Sequence, residues 1–205
     1  MRLLFVIPGL SGGGTERSLR ELVPALMQSG TDVSISYMVQ RATDDEAELE
    51  RAGARLHRVT QPRLVGRVRA IRRVIALERP DIVHTSLYEA DIAGRLAAWQ
   101  APGGSPIVLS SIVNTSYDPA RLGDPNVLAW KLRAVRLADA WTARHLTNHF
   151  HAVSRAVKDA AVQALGIDPN RVTVVERGRV SVWQTRRLCV VVLPPTWRRS
   201  ISRPA

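Results

Sequence analysis

The chain has 205 residues, 45% of them hydrophobic, and a formal net charge of +11. The apolar fraction sustains a packed core and excludes global disorder. The single cysteine, Cys189, excludes a disulfide framework or a cysteine-built metal site within one chain. The charge is unevenly spread. From Arg177 onward there are seven arginines and no acid, which leaves +4 for residues 1–176. The pI of 11.3 is therefore a weak argument for a nucleic-acid protein.

Taken in chain order, short apolar runs alternate with helical patterns, the signature of βαβ units and a parallel sheet. Strands are expected at Leu3–Ile7, Asp32–Met38, Ala54–Arg58, Ile82–His84, Ile107–Ile112, His149–Val153 and Val172–Val175. Their continuous Val/Ile/Leu character suits strands buried on both faces. Helices are expected near Thr15–Ser29, Asp44–Ala52, Leu64–Glu78, Ala90–Trp99, Asn126–Arg144 and Ser154–Leu165. Gly30, Gly53 and Gly166 stand where helices close, Pro80 follows the end of the arginine-rich helix, and Ser154 is a good N-cap. Ala101 to Pro106 reads as a surface loop. The fold class is α/β, a Rossmann-like parallel sheet with helices on both faces, spanning residues 1–176. Residues 177–205 form an irregular basic tail.

Leu3–Ile7 is too short for a signal-peptide core, and no stretch approaches the roughly 20 apolar residues of a membrane span. With one cysteine, this fits a cytoplasmic protein. Lys131 and Lys158 are the only lysines. That arginine bias fits GC-rich bacterial coding.

The first strand empties into Pro8-Gly9-Leu10-Ser11-Gly12-Gly13-Gly14-Thr15-Glu16, and a helix follows at once. Glycines admit close backbone approach, and a helix start offers free N–H groups, so this turn suits a phosphate or a sugar hydroxyl. It also serves simply to turn the chain. It is neither a P-loop, lacking Gly-Lys-Ser/Thr, nor a dinucleotide fingerprint, whose third glycine would fall at Arg17.

His84 ends the fourth strand, where open α/β sheets bind ligands, and suits polar contact or proton transfer. A histidine hydrogen-bonded within the sheet edge is the equal alternative. Tyr88 and Glu89 follow in the same loop, and Glu89 equally suits the start of a helix. Asn114 and Thr115 leave the fifth strand on the same edge and suit carbohydrate hydroxyls or an ordinary turn.

The helix from Leu64 to Glu78 sets Leu64, Val65, Val68, Ile71 and Ile75 on one face, with Arg67, Arg69, Arg72 and Arg73 beside or opposite it. It reads as a helix docked on the sheet with solvated arginines, and alternatively as one meeting anionic lipid. Trp99, Trp130 and Trp141 read as packing residues on helices. His145, His149 and His151 cluster without a carboxylate or cysteine to complete a metal set, so no metal is expected.

Four segments together resemble the N-terminal domain of GT-B fold, retaining, nucleotide-sugar-dependent glycosyltransferases. They are Gly12-Gly13-Gly14-Thr15-Glu16, Pro80-Asp81-Ile82-Val83-His84, Ser154-Arg155-Ala156-Val157-Lys158 and Leu165-Gly166-Ile167-Asp168-Pro169-Asn170-Arg171-Val172. The resemblance implies sugar transfer from a nucleotide-sugar co-substrate to an acceptor hydroxyl, on a saccharide or a lipid-linked acceptor, without a metal or other cofactor. It implies a catalytic His84, and a Gly12–Glu16 loop facing the donor diphosphate. Ser86, Tyr88, Glu89, Asn114 and Thr115 would bind the acceptor, with Arg177 and Gly178 at an interdomain hinge.

The chain departs from the pattern in three places. Ser86 stands where the family often has a second histidine. Glu176 replaces the proline before the hinge glycine. No two glutamates show the seven-residue separation of the donor site. These departures lead to the expectation of a truncated or frameshifted chain, inactive alone. A non-catalytic partner subunit for a separate donor domain is one alternative. A tail that binds a membrane surface at the inner face, or less favoured nucleic acid, is another.

Overall fold

Hydrophobic alternation decides which side of each strand faces which helices. The computed structural model describes residues 1–10, 14–40, 45–99, 101–115, 117 and 129–176. Seven parallel strands run β1 Arg2–Leu10, β2 Asp32–Gln40, β3 Arg55–Arg58, β4 Ile82–Ser86, β5 Ile107–Ile112, β6 His149–Ala152 and β7 Val172–Val174. Their order is β3-β2-β1-β4-β5-β6-β7. The helices are α1 Gly14–Gln28, α2 Asp45–Arg51, α3 Leu64–Glu78, α4 Tyr88–Ala98, α5 Ala129–Leu146 and α6 Arg155–Leu165, with a 3-10 turn at Pro169–Arg171. This is the doubly wound α/β arrangement that the alternating pattern predicts.

Phe5, Ile7, Val33 and Ile35 pack with Leu19 and Val23 of α1 on one face. Leu4, Val6 and Val83 pack with Ile71 and Ile75 of α3 and Ala90 and Ala93 of α4 on the other. A third cluster joins Ala140 and Ala143 of α5, Ala161 and Leu165 of α6, and Phe150 and Val172. Burying such side chains contributes about 1.5–3 kcal/mol each.

Termini follow local chemistry. Ser154 Oγ accepts the Val157 N–H at 3.2 Å, an N-cap, and α6 closes on Gly166 in the left-handed conformation. The loop from Ala101 to Pro106 is largely exposed, as expected.

Four differences from the sequence reading have physical causes. First, β1 runs on through Pro8-Gly9-Leu10, because Gly9 lets β2 lie close; a Cβ there would stand 2.8 Å from the Val39 carbonyl oxygen. Second, Trp99, Trp130 and Trp141 are 47%, 66% and 46% exposed. The buried face of α5 is made of Asp139, Ala140, Thr142 and Ala143 instead, so the tryptophans are not packing residues. Third, Leu64 and Val65 are exposed, and the docking stripe of α3 is Val68, Ile71, Val74 and Ile75.

Fourth, two arginines of α3 are engaged rather than simply solvated. Arg72 donates to the Leu96, Ala97 and Trp99 carbonyls and satisfies the end of α4. Arg67 donates to the Gln61 carbonyl and to Glu89.

Candidate functional site

The sheet order sets the site. Chain connections leave β1 toward one face and β4 toward the other, and these strands are neighbours. Between their carboxyl ends opens the crevice in which open α/β sheets bind ligands. His84, Ser86, Leu87, Tyr88 and the start of α1 at Gly14 therefore share one edge. Gly12 and Gly13 lie outside the described residues, as do Arg177, Gly178 and the remainder of the tail to Ala205. Gly14 and Thr15 open α1, and Ser18 Oγ donates to the Gly14 carbonyl at 2.8 Å. Glu16 belongs to the same helical turn.

Two features at this crevice stand out. Ser86 is 5% exposed, and its Oγ has no hydrogen-bond partner among the described residues. A buried hydroxyl without a partner costs about 1–3 kcal/mol, and a ligand polar group can recover that. Leu87 holds φ 74°, ψ 136°, a left-handed backbone that a branched side chain adopts only under strain. No local motif in the sequence marks Leu87. Its strain arises from the abrupt start of α4 after β4.

His84 Nε2 lies 2.7 Å from Ser111 Oγ, Ser111 Oγ lies 3.2 Å from His151 Nδ1, and His151 Nε2 lies 3.2 Å from the Val175 carbonyl oxygen. A carbonyl only accepts, so His151 Nε2 carries a proton. With His151 neutral, its Nδ1 accepts from the Ser111 hydroxyl, whose oxygen then accepts Nε2–H of His84. This orders three strands into one hydrogen-bond chain ending at the exit of β7. The ring of His84 also packs against Phe5, with centroids 4.9 Å apart. His84 is thus bonded within the sheet, in the carboxyl-terminal half of β4. His149, by contrast, bonds Thr173 Oγ1 at 2.8 Å. Burial, then Arg171 and Lys158, pushes its pKa below the usual histidine value.

Next to the crevice lies a cavity of about 280 Å³ between α4, β5, α5 and α6. Tyr88, Asn114, Thr115 and Tyr117 line it, with Arg136 and Gln163 from the two later helices. Glu89 is turned away, paired with Arg67 at 3.2 Å.

Under the cavity sits a buried ionic floor. Arg95 Nη1 donates to Asp139 Oδ1 at 2.5 Å, Arg95 Nε donates to Ser110 Oγ at 3.0 Å, and Arg95 Nη2 stands 3.7 Å from Asp91. Thr85 Oγ1 donates to Asp91, and Tyr117 Oη donates to Asp139 Oδ2 at 2.7 Å. Burial raises the pKa of Asp91, opposed by Arg95 and assisted by Asp139. Burial, then the Asp139 charge, also holds the Tyr117 hydroxyl protonated, so it remains a donor. Sequence reasoning missed this floor; an Asp91-x-x-x-Arg95 spacing on a helix was its one visible trace. Among the described residues no group of three or more His, Cys, Asp and Glu could hold a metal ion.

Comparison with known proteins agrees with this architecture. Anabaena Alr3699/HepE, solved in complex with UDP and glucose, superposes with a TM-score of 0.67 at 16% identity, over 87% of this chain and 45% of that one. The lipopolysaccharide outer core galactosyltransferase WaaB in its apo form gives 0.60 at 15% identity, over 86% and 45%. The UDP-GlcNAc 2-epimerase of Methanocaldococcus jannaschii gives 0.57 at 18%, over 85% and 45%. The chain thus spans less than half the length of these structures, and at such identities the likeness is one of fold. No curated protein sequence matches this chain. Residues 13–178, most of the chain and all of the site edge beyond β1, match the glycosyl transferase 4-like domain, and the chain belongs to that family.

Proposed function

We propose that residues 1–176 are the acceptor-side domain of a retaining glycosyltransferase that moves a sugar from a nucleotide-sugar to an acceptor hydroxyl. The observation that carries this reading is the buried Ser86 Oγ, without a hydrogen-bond partner among the described residues, in the same strand as His84 at the switch between β1 and β4. An incoming hydroxyl satisfies that serine, and Tyr88, Asn114 and Thr115 orient the remainder of the acceptor in the adjoining cavity. His84 is the proton-handling group of the site. The loop of Gly12, Gly13, Gly14, Thr15 and Glu16 meets the donor diphosphate, and Arg177-Gly178 is the hinge to a donor-binding wall.

A UDP-linked donor is the first choice, because HepE was solved with UDP and glucose. Residues 1–205 alone turn over little, since transfer needs reactants held from both sides of the cleft. Sugar transfer by this polypeptide alone would disprove that point. The acceptor reading is tested by titrating mono- and disaccharides into ¹⁵N-labelled chain. Shifts are expected at Ser86, Tyr88, Asn114 and Thr115 and are weakened by Ser86→Ala. A full saccharide panel that moves none of these resonances sinks the reading.

A further inference from the structure

Helix α5 has two working faces, and the fold uses one of them. Asp139, Ala140, Thr142 and Ala143 are buried against the body of the protein. On the other side Trp130, Leu137 and Trp141 stand 66%, 70% and 46% exposed. At 3.6 residues per turn these three fall within an arc of about 40°, with the two indoles about 16 Å apart along the axis. The stripe is therefore not a misplaced core face. It is a second apolar line that nothing among the described residues covers.

The charges around it select the covering. Every exposed charged side chain of α5 is basic: Lys131, Arg133, Arg136 and Arg144. Its single acid, Asp139, is buried against Arg95. Arg133 and Arg144 border the stripe on one side. Lys131 borders the other, with its ammonium 5.6 Å from the Trp130 ring centre. The neighbouring α6 adds Arg155 and Lys158 against one exposed acid, Asp159. A second copy of the chain would set like charges against like, whereas an anionic surface neutralises them. Tryptophan is enriched at the headgroup level of bilayers, where an indole has both an apolar bed and a polar rim.

We propose that α5 docks the chain on an anionic phospholipid surface. Trp130, Leu137 and Trp141 enter the headgroup region, and Lys131, Arg133 and Arg144 pair with lipid phosphates. This reading does not depend on the transferase assignment. Arg136 and Asp139 of the same helix line the cavity, so docking holds that cavity beside the membrane.

The test is co-sedimentation of the full 205-residue chain with vesicles of phosphatidylcholine alone or with one part in about four of phosphatidylglycerol. Binding is expected to the mixed vesicles only, weakening as salt rises. Combined Trp130→Ala and Trp141→Ala should lower the affinity about tenfold or more while circular dichroism stays unchanged, since both indoles are exposed. Arg133→Glu, at an exposed side chain, should weaken binding independently. Absence of binding to anionic vesicles overturns the proposal. So does undiminished binding by these variants, which would assign the affinity to other basic segments such as residues 177–205. A dimer that the tryptophan substitutions dissociate would make the stripe a subunit interface and equally overturn it.

Discussion

The two faces of β4 and β5 carry two polar systems of opposite character. On one face Thr85 and Ser110 join Asp91, Arg95 and Asp139, all under 10% exposed and cross-linked by hydrogen bonds. On the other, His84 and His151 are half-buried and meet through Ser111. Adjacent residues of one strand thus serve different ends. A buried ion network is over-determined and holds α4 and α5 in place. A chain of two imidazoles and one hydroxyl can shift a proton without moving the backbone, which suits a site edge.

Arg95→Leu should break this contrast hardest. It leaves Asp91 and Asp139 buried without their cation and should cost about 3–5 kcal/mol in urea denaturation. A cost under about 1 kcal/mol would mean that water reaches the floor. Next comes Gly94→Ala. Its Cβ would stand 2.6 Å from Thr85 Cγ2, and overpacking there should cost about 1–3 kcal/mol.

Asp91→Asn sharpens the comparison through pH. Burial raises the Asp91 pKa, so its folded form favours the proton. Its contribution to stability is greatest below the unfolded carboxylate pKa of about 4 and is lost as pH rises through the raised folded value. The asparagine variant lacks that loss, so its stability relative to the parent should grow from about pH 4 upward. A difference that stays flat with pH would count against a raised Asp91.

Ser111→Ala should have the smallest energetic effect, about 1 kcal/mol. Its diagnostic readout is imidazole tautomer by ¹⁵N NMR. The parent should show His84 protonated on Nε2, and the variant should lose that preference. A parent His84 protonated on Nδ1 would reverse the direction of the hydrogen-bond chain.

Much of the scaffold was legible in the residues. Leu64–Glu78 and Ile107–Ile112 coincide with α3 and β5, because helical spacing and continuous apolar runs are local signals. Ser154 and Gly166 marked the ends of α6 by cap chemistry alone. The site was legible in part. His84, Ser86, Tyr88, Asn114 and Thr115 do gather at one edge, since each lies near or just beyond the carboxyl end of β4 or β5. Glu89 was drawn off by Arg67, 22 residues away in sequence. The exposed faces of Trp130 and Trp141 were misjudged because large apolar side chains read as core unless the opposite helix face is known to be buried. The described helices also give no span long and apolar enough to cross a membrane.

Sequence by itself determined the element order, the parallel sheet and the edge on which polar residues collect, because strand and helix periodicity and caps act over a few residues. Only the tertiary structure decided which side chains meet. Arg95 with Asp139 and His84 with His151 are brought together by strand order, not spacing. The burial of the Ser86 hydroxyl, without a partner among the described residues, likewise exists only once β1 and β4 lie side by side, since desolvation is a property of packing.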